Sequence, residues 1–165
     1  MEFKFIHHSQ ISEHEIDKIV SLKNIHWNYS TVEHKNWITI NIKKDDIHVL
    51  MFENEVLVGY MNLIQTEALL NSENFYFLGI GNVCAKEKRR GYGEKLLIEV
   101  NNYLTDNNKQ GILFCKDELI SFYKKYNWLS IDKHFTTGAF SQNINVMLFN
   151  LDYNIKSFNY TGRNF

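Results

Sequence analysis

The sequence contains no proline and only two cysteines, and its 165 residues carry a net charge of −1. No apolar run reaches the ~20 residues that a helix needs to cross a bilayer, and residues 1–5 lack the pattern of a signal peptide. The balanced charge predicts neither a nucleic-acid partner nor a membrane partner. We therefore expect a cytoplasmic protein.

Metal-ligand spacing is also missing from the sequence. Cys84 and Cys115 stand far apart, and in a reducing compartment we expect both thiols to be free and buried. The histidines form no ligand pattern either, so no metal site is predicted. What the chain does have is 44% hydrophobic and 15% aromatic content, enough for one core, and we predict a single domain over residues 1–165.

In the first half of the chain, short helices and antiparallel strands are predicted. Ser12 with Glu15, and Ser30 with Glu33, form two capping boxes that begin helices running to about Ile25 and Ile42. Asn54 suits a hairpin turn, and Gly59 indicates a bulge or a close approach. The predicted strands are residues 2–8, 46–52, 55–64 and 74–83, with 65–73 as a polar connection.

The second half predicts a strand, helix and strand in the order of a right-handed parallel crossover. Apolar spacing indicates a helix from Glu94 to Leu104, and another from Glu118 to Tyr126 that ends at Asn127 in a left-handed conformation. Further strands are predicted at residues 112–115, 131–136 and 144–151. The aromatic tail, residues 152–165, is expected to pack against the protein; if exposed, it would favour a homodimer.

Between the strand at 74–83 and the helix after it lies a basic loop with two glycines, Lys88-Arg89-Arg90-Gly91-Tyr92-Gly93. The first amides of a helix have no intrahelical acceptor and its dipole is positive there, so the site favours an anion. Glycine lets the backbone approach a ligand closely. We interpret the loop as a pyrophosphate cradle; the alternative is a surface loop with solvated charges.

This loop resembles the acetyl-CoA pyrophosphate loop of the GNAT superfamily of N-acetyltransferases, Gln/Arg-x-x-Gly-x-Gly/Ala, with Lys88 at the first position. Phe122-Tyr123-Lys124-Lys125-Tyr126-Asn127-Trp128 is similar to the family's second signature, Phe-Tyr-x-Lys-x-Gly-Phe. The resemblance implies an α/β fold with a mixed, mostly antiparallel sheet of about six to seven strands and about four helices. One splayed parallel strand pair would lie at the CoA site.

The resemblance also implies roles for residues of this chain. Tyr123 would be the general acid that protonates the departing thiolate; a phenol is protonated at neutral pH. The acceptor would contact Trp27, Tyr29 and His34, and Glu73 is a candidate base that would act through water. These aromatic residues could equally be core residues. The expected contacts to CoA come from the backbone of the strand end and from the loop: Asn82, Val83, Cys84, Lys88, Arg89, Arg90, Gly91, Tyr92, Gly93 and Glu94.

The function implied is transfer of an acetyl group from acetyl-CoA, as co-substrate, to a primary amine, expected on a small molecule. Two features leave alternatives open. The strand at 77–83 carries no carboxylate, and Lys116 stands where relatives often have Asn. A non-catalytic CoA-binding regulatory module, or an enzyme that acts on protein or peptide amines, therefore remains open. A nucleotide-binding domain is disfavoured because the loop lacks a Gly-Lys-Ser/Thr sequence.

Overall fold

The computed structural model describes residues 1–138, 144–163 and 165. They form two compact units, one of residues 1–64, 81–100 and 165, the other of residues 65–80 and 101–164. Two strands and one helix run through both units.

Two capped helices form one part of the first unit. Helix α1 is Glu13–Lys23 and helix α2 is Thr31–Asn41. In each capping box the serine hydroxyl accepts from the backbone of the third helical residue, whose glutamate accepts in return from the serine amide. Both predicted helix starts are confirmed. The helices bury an apolar stripe that includes Ile19, Val20, Leu22 and Ile38.

The strands of the first unit are antiparallel neighbours. Strand β1, Glu2–His7, pairs with β2, Ile47–Glu53, and β2 pairs with the first part of β3, Val56–Leu70. Asn54 and Glu55 join β2 to β3 with φ angles of 48° and 65°, so the predicted turn at Asn54 is confirmed. Strand β4, Glu73–Ala85, is the next neighbour of β3.

A bulge in β3 lies where Gly59 predicted one. Met51 pairs with Gly59 and Phe52 pairs with Leu57, so Val58 is the extra residue. A Cβ on Gly59 would lie 2.5 Å from Cε of Met51 and 2.8 Å from Cδ1 of Leu96. Helix α3, Tyr92–Asp106, therefore packs closely onto the sheet at Gly59, where a larger residue would displace the ends of the Met51 and Leu96 side chains.

The second unit contains the parallel pairing. Strand β5, Gly111–Cys115, pairs parallel with β4 at Leu78 and Gly79, and helix α4 is Asp117–Lys124. Strand β6 is Leu129–Ser130, β7 is Thr136–Gly138, β8 is Asn145–Phe149 and β9 is Phe158–Tyr160. Strand β8 is antiparallel to β5 and β6, β9 is antiparallel to β3, and β7 is parallel to β9. Trp128 and Phe158 are fully buried in this unit.

Two predictions about elements are wrong. Residues 65–73 are not a polar connection: β3 continues to Leu70, and the turn is only Asn71 and Ser72, with φ angles of 48° and 71°. Thr66, Ala68 and Leu70 are buried and alternate with more exposed residues, as in a strand with one buried face.

The predicted strand 131–136 is also largely wrong. Lys133–Phe135 form a 3-10 helix, because Oδ1 of Asp132 accepts from the amide of His134 and starts a helical turn. The predicted strand 144–151 is confirmed as β8, Asn145–Phe149.

The predicted fold class is confirmed: a mostly antiparallel sheet with a parallel β4–β5 pair and four α-helices among the described residues. The short β7–β9 pairing is a second parallel contact that the sequence did not predict. The tail aromatics Phe158 and Tyr160 are buried, so they give no support to a homodimer, which stays a prediction. None of the helices within the described ranges is long and apolar enough to cross a membrane.

Candidate functional site

The end of β4 is distorted at Gly81 and Asn82. Asn82 has a φ of 52°, which is rare within a strand and which asparagine tolerates better than most residues. A Cβ on Gly81 would lie 2.8 Å from the carbonyl carbon of Phe165 and 3.0 Å from Oδ1 of Asn62, so glycine is required there. The pleat of β4 is therefore interrupted immediately before Val83 and Cys84, the two residues expected to present amides to the acyl group.

The side chain of Asn82 is held at both ends. Its Oδ1 accepts from Nζ of Lys23 at 2.8 Å, and its Nδ2 donates to Oδ1 of Asn62 at 3.3 Å. Lys23 is 3% exposed and Asn62 is fully buried. Three residues further along each segment, His26 donates from Nε2 to the carbonyl of Ala85. The C-terminal end of α1 and the turn after it thus contact the end of β4 at two points.

Lys23 is a buried cation next to aromatic rings. Its Nζ lies 4.7 Å from the centroid of the Trp37 ring and 5.7 Å from that of Trp27. Within the part of the chain that the structure describes, no carboxylate comes within 4 Å of this nitrogen. Burial lowers the pKa of Lys23.

Val83 and Cys84 point in opposite directions, as successive strand residues do. Val83 is 37% exposed, whereas Cys84 is buried in the apolar core of the first unit. Burial raises the pKa of the Cys84 thiol to about 12, so this sulfur is protonated at neutral pH and unsuited to act as a nucleophile. Cys84 and Cys115 are both free and buried, as predicted.

The basic loop after β4 is exposed and has the backbone of a cradle. Lys88, Arg89 and Arg90 are all exposed, and Arg90 pairs with Glu87 at 3.5 Å. Arg89 and Gly91 have φ angles of 63° and 73°. Successive residues with left-handed φ next to right-handed ones form backbone concavities that bind anions.

Helix α3 begins at Tyr92, shortly after the basic residues of this loop. The carbonyl of Gly91 accepts the first helical bond, from the amide of Lys95 at 3.0 Å. The amides of Tyr92, Gly93 and Glu94 therefore belong to the first turn and have no intrahelical acceptor. A Cβ on Gly91 or Gly93 would meet no described atom within 4 Å beyond its chain neighbours, so the space above both is open. The strand, loop and helix order fits a pyrophosphate ligand.

Tyr92 has a structural contact that the sequence did not predict. Its ring is buried, and its hydroxyl donates to Oε2 of Glu53, at the end of β2, at 2.7 Å. This bond raises the pKa of Tyr92. The side chain thus fixes the start of α3 to the sheet. The backbone amide of Tyr92 takes no part in this bond and remains one of the predicted CoA contacts.

The parallel ladder between β4 and β5 is short. It consists of Leu78 opposite Gly111 and Gly79 opposite Ile112. Strand β4 continues to Ala85 and β5 to Cys115. The ladder therefore ends well before β4 does, as expected of a splayed pair.

Tyr123 lies on α4 in the second unit and is 9% exposed. Burial raises its pKa to about 12, so the phenol holds its proton throughout the neutral range. Its ring packs edge-on against Phe122 and Trp128. Lys116 precedes α4 as its N-cap residue and makes no capping bond through its side chain.

The predicted acceptor residues have different environments. Tyr29 is 60% exposed, and Trp27 is half-buried against the core of the first unit. His34 is buried, its Nε2 lies 3.4 Å from the carbonyl oxygen of Trp27, and burial lowers its pKa. Trp27 and Tyr29 both contact His34, so these three cluster. Glu73, in the second unit, is the exposed first residue of β4 and accepts from the hydroxyl of Tyr153 at 3.2 Å.

Sequence reasoning missed Lys23, His26 and Asn62. Lys23 did leave a signal, since it follows Ile19 by four residues and Val20 by three, on the buried stripe of α1. A charged residue on such a stripe is unusual. Asn62 and His26 left no local signal. Within the described ranges, no group of three or more His, Cys, Asp or Glu side chains is arranged to hold a metal.

Comparison with known proteins agrees with this geometry. A family model described as an acetyltransferase (GNAT) domain matches residues 7–130. A search of curated protein sequences found no match.

Solved structures with the same fold include Escherichia coli ElaA, with 20% identity and a TM-score of 0.63 over 90% of this chain and 99% of that one. The GNAT family N-acetyltransferase YhbS from E. coli, solved in complex with CoA, has 12% identity and a TM-score of 0.66 over 96% of this chain and 88% of that one. An aminoglycoside 6'-N-acetyltransferase from Enterococcus faecium has 12% identity and a TM-score of 0.59 over 90% and 94%.

Proposed function

Because the chain belongs to the GNAT acetyltransferase family, we propose that it moves an acetyl group from acetyl-CoA to a primary amine of a small molecule. The observation that carries this proposal is the junction between β4 and α3. There a strand with a left-handed residue leads through an exposed basic loop into three helix amides without intrahelical acceptors.

The loop residues suit the pyrophosphate of CoA. The amides of Tyr92, Gly93 and Glu94 would donate to phosphate oxygens, and Lys88, Arg89 and Arg90 would neutralise their charge. The open space at Gly91 and Gly93 supports this assignment, since a phosphate must approach the backbone closely.

The end of β4 would hold the acyl group. Backbone amides at Asn82, Val83 and Cys84 would bond the pantetheine and polarise the thioester carbonyl. A neutral amine that attacks the carbonyl carbon forms the new C–N bond and gives up a proton from its nitrogen to solvent water, while the C–S bond breaks. Tyr123 would give its proton to the departing thiolate and recover one from solvent; its raised pKa, about 12, keeps it protonated beforehand.

The acceptor side is supported by the aromatic groups after α1. Trp27, Tyr29 and His34 offer apolar faces and an imidazole close to one another. Among the structural neighbours one is an aminoglycoside 6'-N-acetyltransferase, which favours a small amine as the first acceptor class to test. Protein and peptide amines remain the alternative acceptors.

The proposal is tested by following thiol release from acetyl-CoA with aminoglycosides, polyamines, amino acids and peptides as acceptors. We expect amine-dependent release for a small amine, together with CoA binding by calorimetry. Tyr123→Phe should lower kcat about 10²-fold and leave the affinity for CoA unchanged. Phe122→Leu, a neighbouring change on α4, serves as the control for altered packing.

The outcomes separate the two candidate functions. CoA binding without thiol release for any amine would favour a regulatory CoA-binding module, which the absence of a carboxylate at positions 77–83 also suits. A full rate in Tyr123→Phe would remove Tyr123 from the mechanism but leave the transferase. Failure to bind CoA would contradict the assignment of the loop.

A further inference from the structure

Asn82 holds a backbone conformation that its neighbours in β4 do not share. Its φ of 52° lies within a strand of 13 residues, where it interrupts the regular extended backbone. Asparagine reaches this region more readily than other residues with a Cβ, but the extended conformation is still favoured for it in a free strand. Something in the fold must therefore select the left-handed form.

The side-chain contacts of Asn82 provide that selection. Its amide group is bonded at one end by Lys23 and at the other by Asn62, at 2.8 and 3.3 Å. Both partners are almost completely buried and cannot follow the side chain if it turns away. The two bonds together fix the side chain and, through it, the backbone of Asn82.

Burial of the Lys23 ammonium is unfavourable for the stability of the fold, so packing does not explain why a lysine occupies this position. The ammonium is buried beside two tryptophan rings, and Asn82 is its one hydrogen-bond acceptor among the described residues. A buried cation without a carboxylate is unfavourable, and an apolar side chain of the same volume usually serves stability as well or better. Asn62 is also incompletely satisfied: its Nδ2 has no partner within the described part of the chain.

The places at which α1 and the turn after it contact β4 provide a second argument. Lys23 contacts residue 82 and His26 contacts residue 85, so the end of α1 and its turn bind β4 on either side of Val83 and Cys84. Those two residues carry amides that the proposed function assigns to the pantetheine and thioester. A small change in their direction is expected to have a large effect on rate, because an error of about 1 Å in such groups can cost 10²-fold.

We propose that Lys23 is a positioning residue for acyl transfer: its ammonium holds Asn82 in the left-handed conformation and thereby directs the amides of Val83 and Cys84, without contacting either substrate. This inference rests on the proposed function, and it identifies Lys23 as the residue that orients the backbone of the proposed acyl site. We call the contact between Lys23 and Asn82 the Lys23 clamp; it needs a lysine at the end of α1 and an asparagine at position 82 of β4.

The test is a double-mutant cycle with Lys23→Met and Asn82→Gly. Methionine keeps the length of the chain and removes the charge and the donor, whereas glycine reaches positive φ without a side chain. We expect Lys23→Met alone to lower kcat about 10²-fold with little change in the KM for acetyl-CoA. In the Asn82→Gly background the same change should have no further effect, because the bond that it removes is already absent.

Lys18→Met is the matched control, because Lys18 lies on the same helix with its ammonium over the Phe52 ring. It should keep the wild-type kcat. If Lys23→Met does not fold, Lys23→Leu, which also lacks a donor, replaces it in the same cycle. Additive losses in the two backgrounds would overturn the proposal, since they would mean that Lys23 acts on a substrate directly.

A second readout does not depend on turnover. The amide of Lys86, four residues after Asn82, donates to the carbonyl of Val58 in β3 at 2.8 Å. This bond reports whether the end of β4 keeps its register with β3. Hydrogen exchange at Lys86 should accelerate in Lys23→Met and not in Lys18→Met. Unchanged exchange would overturn the clamp. A wild-type protein with no thiol release would instead contradict the proposed function, and this exchange experiment would still decide on the clamp.

Discussion

At the residue scale, the site depends on a few positions with positive φ. Arg89 and Gly91 in the loop, and Asn82 in β4, all lie in the left-handed region. Their neighbours Gly81 and Gly93 have other roles: Gly81 has no room for a Cβ, while Gly93 has open space above it. The two loop glycines are therefore distinguishable by experiment.

Replacing Gly91 with Ala should lower the free energy of unfolding by about 1 kcal/mol, because alanine disfavours a φ of 73°. Gly93→Ala should cause no loss of stability, since it lies in the first turn of α3, where alanine is a better helix former. Both changes should weaken CoA binding. Urea unfolding and calorimetry measure the two effects separately.

The informative variant is Gly93→Ala, which is expected to lose CoA affinity while its stability is kept. An unchanged affinity would mean that no phosphate approaches this amide, and the pyrophosphate assignment would then have to move to the preceding loop. Arg89 already combines a side chain with a left-handed φ. We therefore do not expect this position to need a glycine for CoA binding.

At the element scale, most helix ends were predictable because their signals are local. Each serine capping box involves residues three apart, and both were found in the sequence before the fold was known. The longer β3 was missed for the opposite reason: glutamine, threonine and glutamate at positions 65–67 are polar, and only burial at alternate positions reveals the strand. Tertiary pairing of Ala68 to Leu70 with β9 supports that extension.

Helix α4 ends at Lys124, and Asn127, with a φ of 65°, ends the turn that follows it, where its amide donates to the carbonyl of Lys124 at 3.2 Å. Asn127 is exposed, so its backbone alone decides the effect of substitution. Asn127→Ala should lower the free energy of unfolding by about 1 kcal/mol, and Asn127→Gly should keep or raise it. Chemical denaturation of the two variants measures the difference. Equal stabilities would contradict the role of Asn127 as the left-handed terminator that the sequence predicted.

At the scale of the whole molecule, buried ionisable groups make stability depend on pH. His48 is fully buried, with Nδ1 2.9 Å from the hydroxyl of Tyr60 and Nε2 2.9 Å from Nδ1 of His8. Burial first, and then the charges of His8 and Lys23, lower its pKa to about 3 against the opposing effects of Asp46 and Glu15. The native protein therefore keeps this imidazole neutral.

The unfolded chain protonates His48 near its ordinary value of 6.5, so the unfolded state gains protons first as the pH falls. Stability is retained above pH 6.5 and is lost progressively between that value and about 3. At pH 4.5, two units below the unfolded value, the expected loss from this residue is about 3 kcal/mol.

The measurement is the urea midpoint of wild type and His48→Gln between pH 7 and 4.5. The variant should be less stable at pH 7 but lose less stability on acidification. His14→Gln, a change at an exposed histidine, should keep the wild-type dependence. Parallel curves for wild type and His48→Gln would contradict the prediction, because other groups would then account for the whole acid effect.

The sequence alone determined the capped helices, the turn at Asn54, the terminator at Asn127 and the strand, loop and helix order of the candidate CoA site. Each depends on residues only a few positions apart, whose backbone preferences act locally. Tertiary structure decided the extension of β3 and the contacts around Asn82. Lys23 and Asn82 stand 59 residues apart, and their bond exists because the fold brings the end of α1 onto the end of β4 and buries Lys23 there. No local preference encodes such a contact.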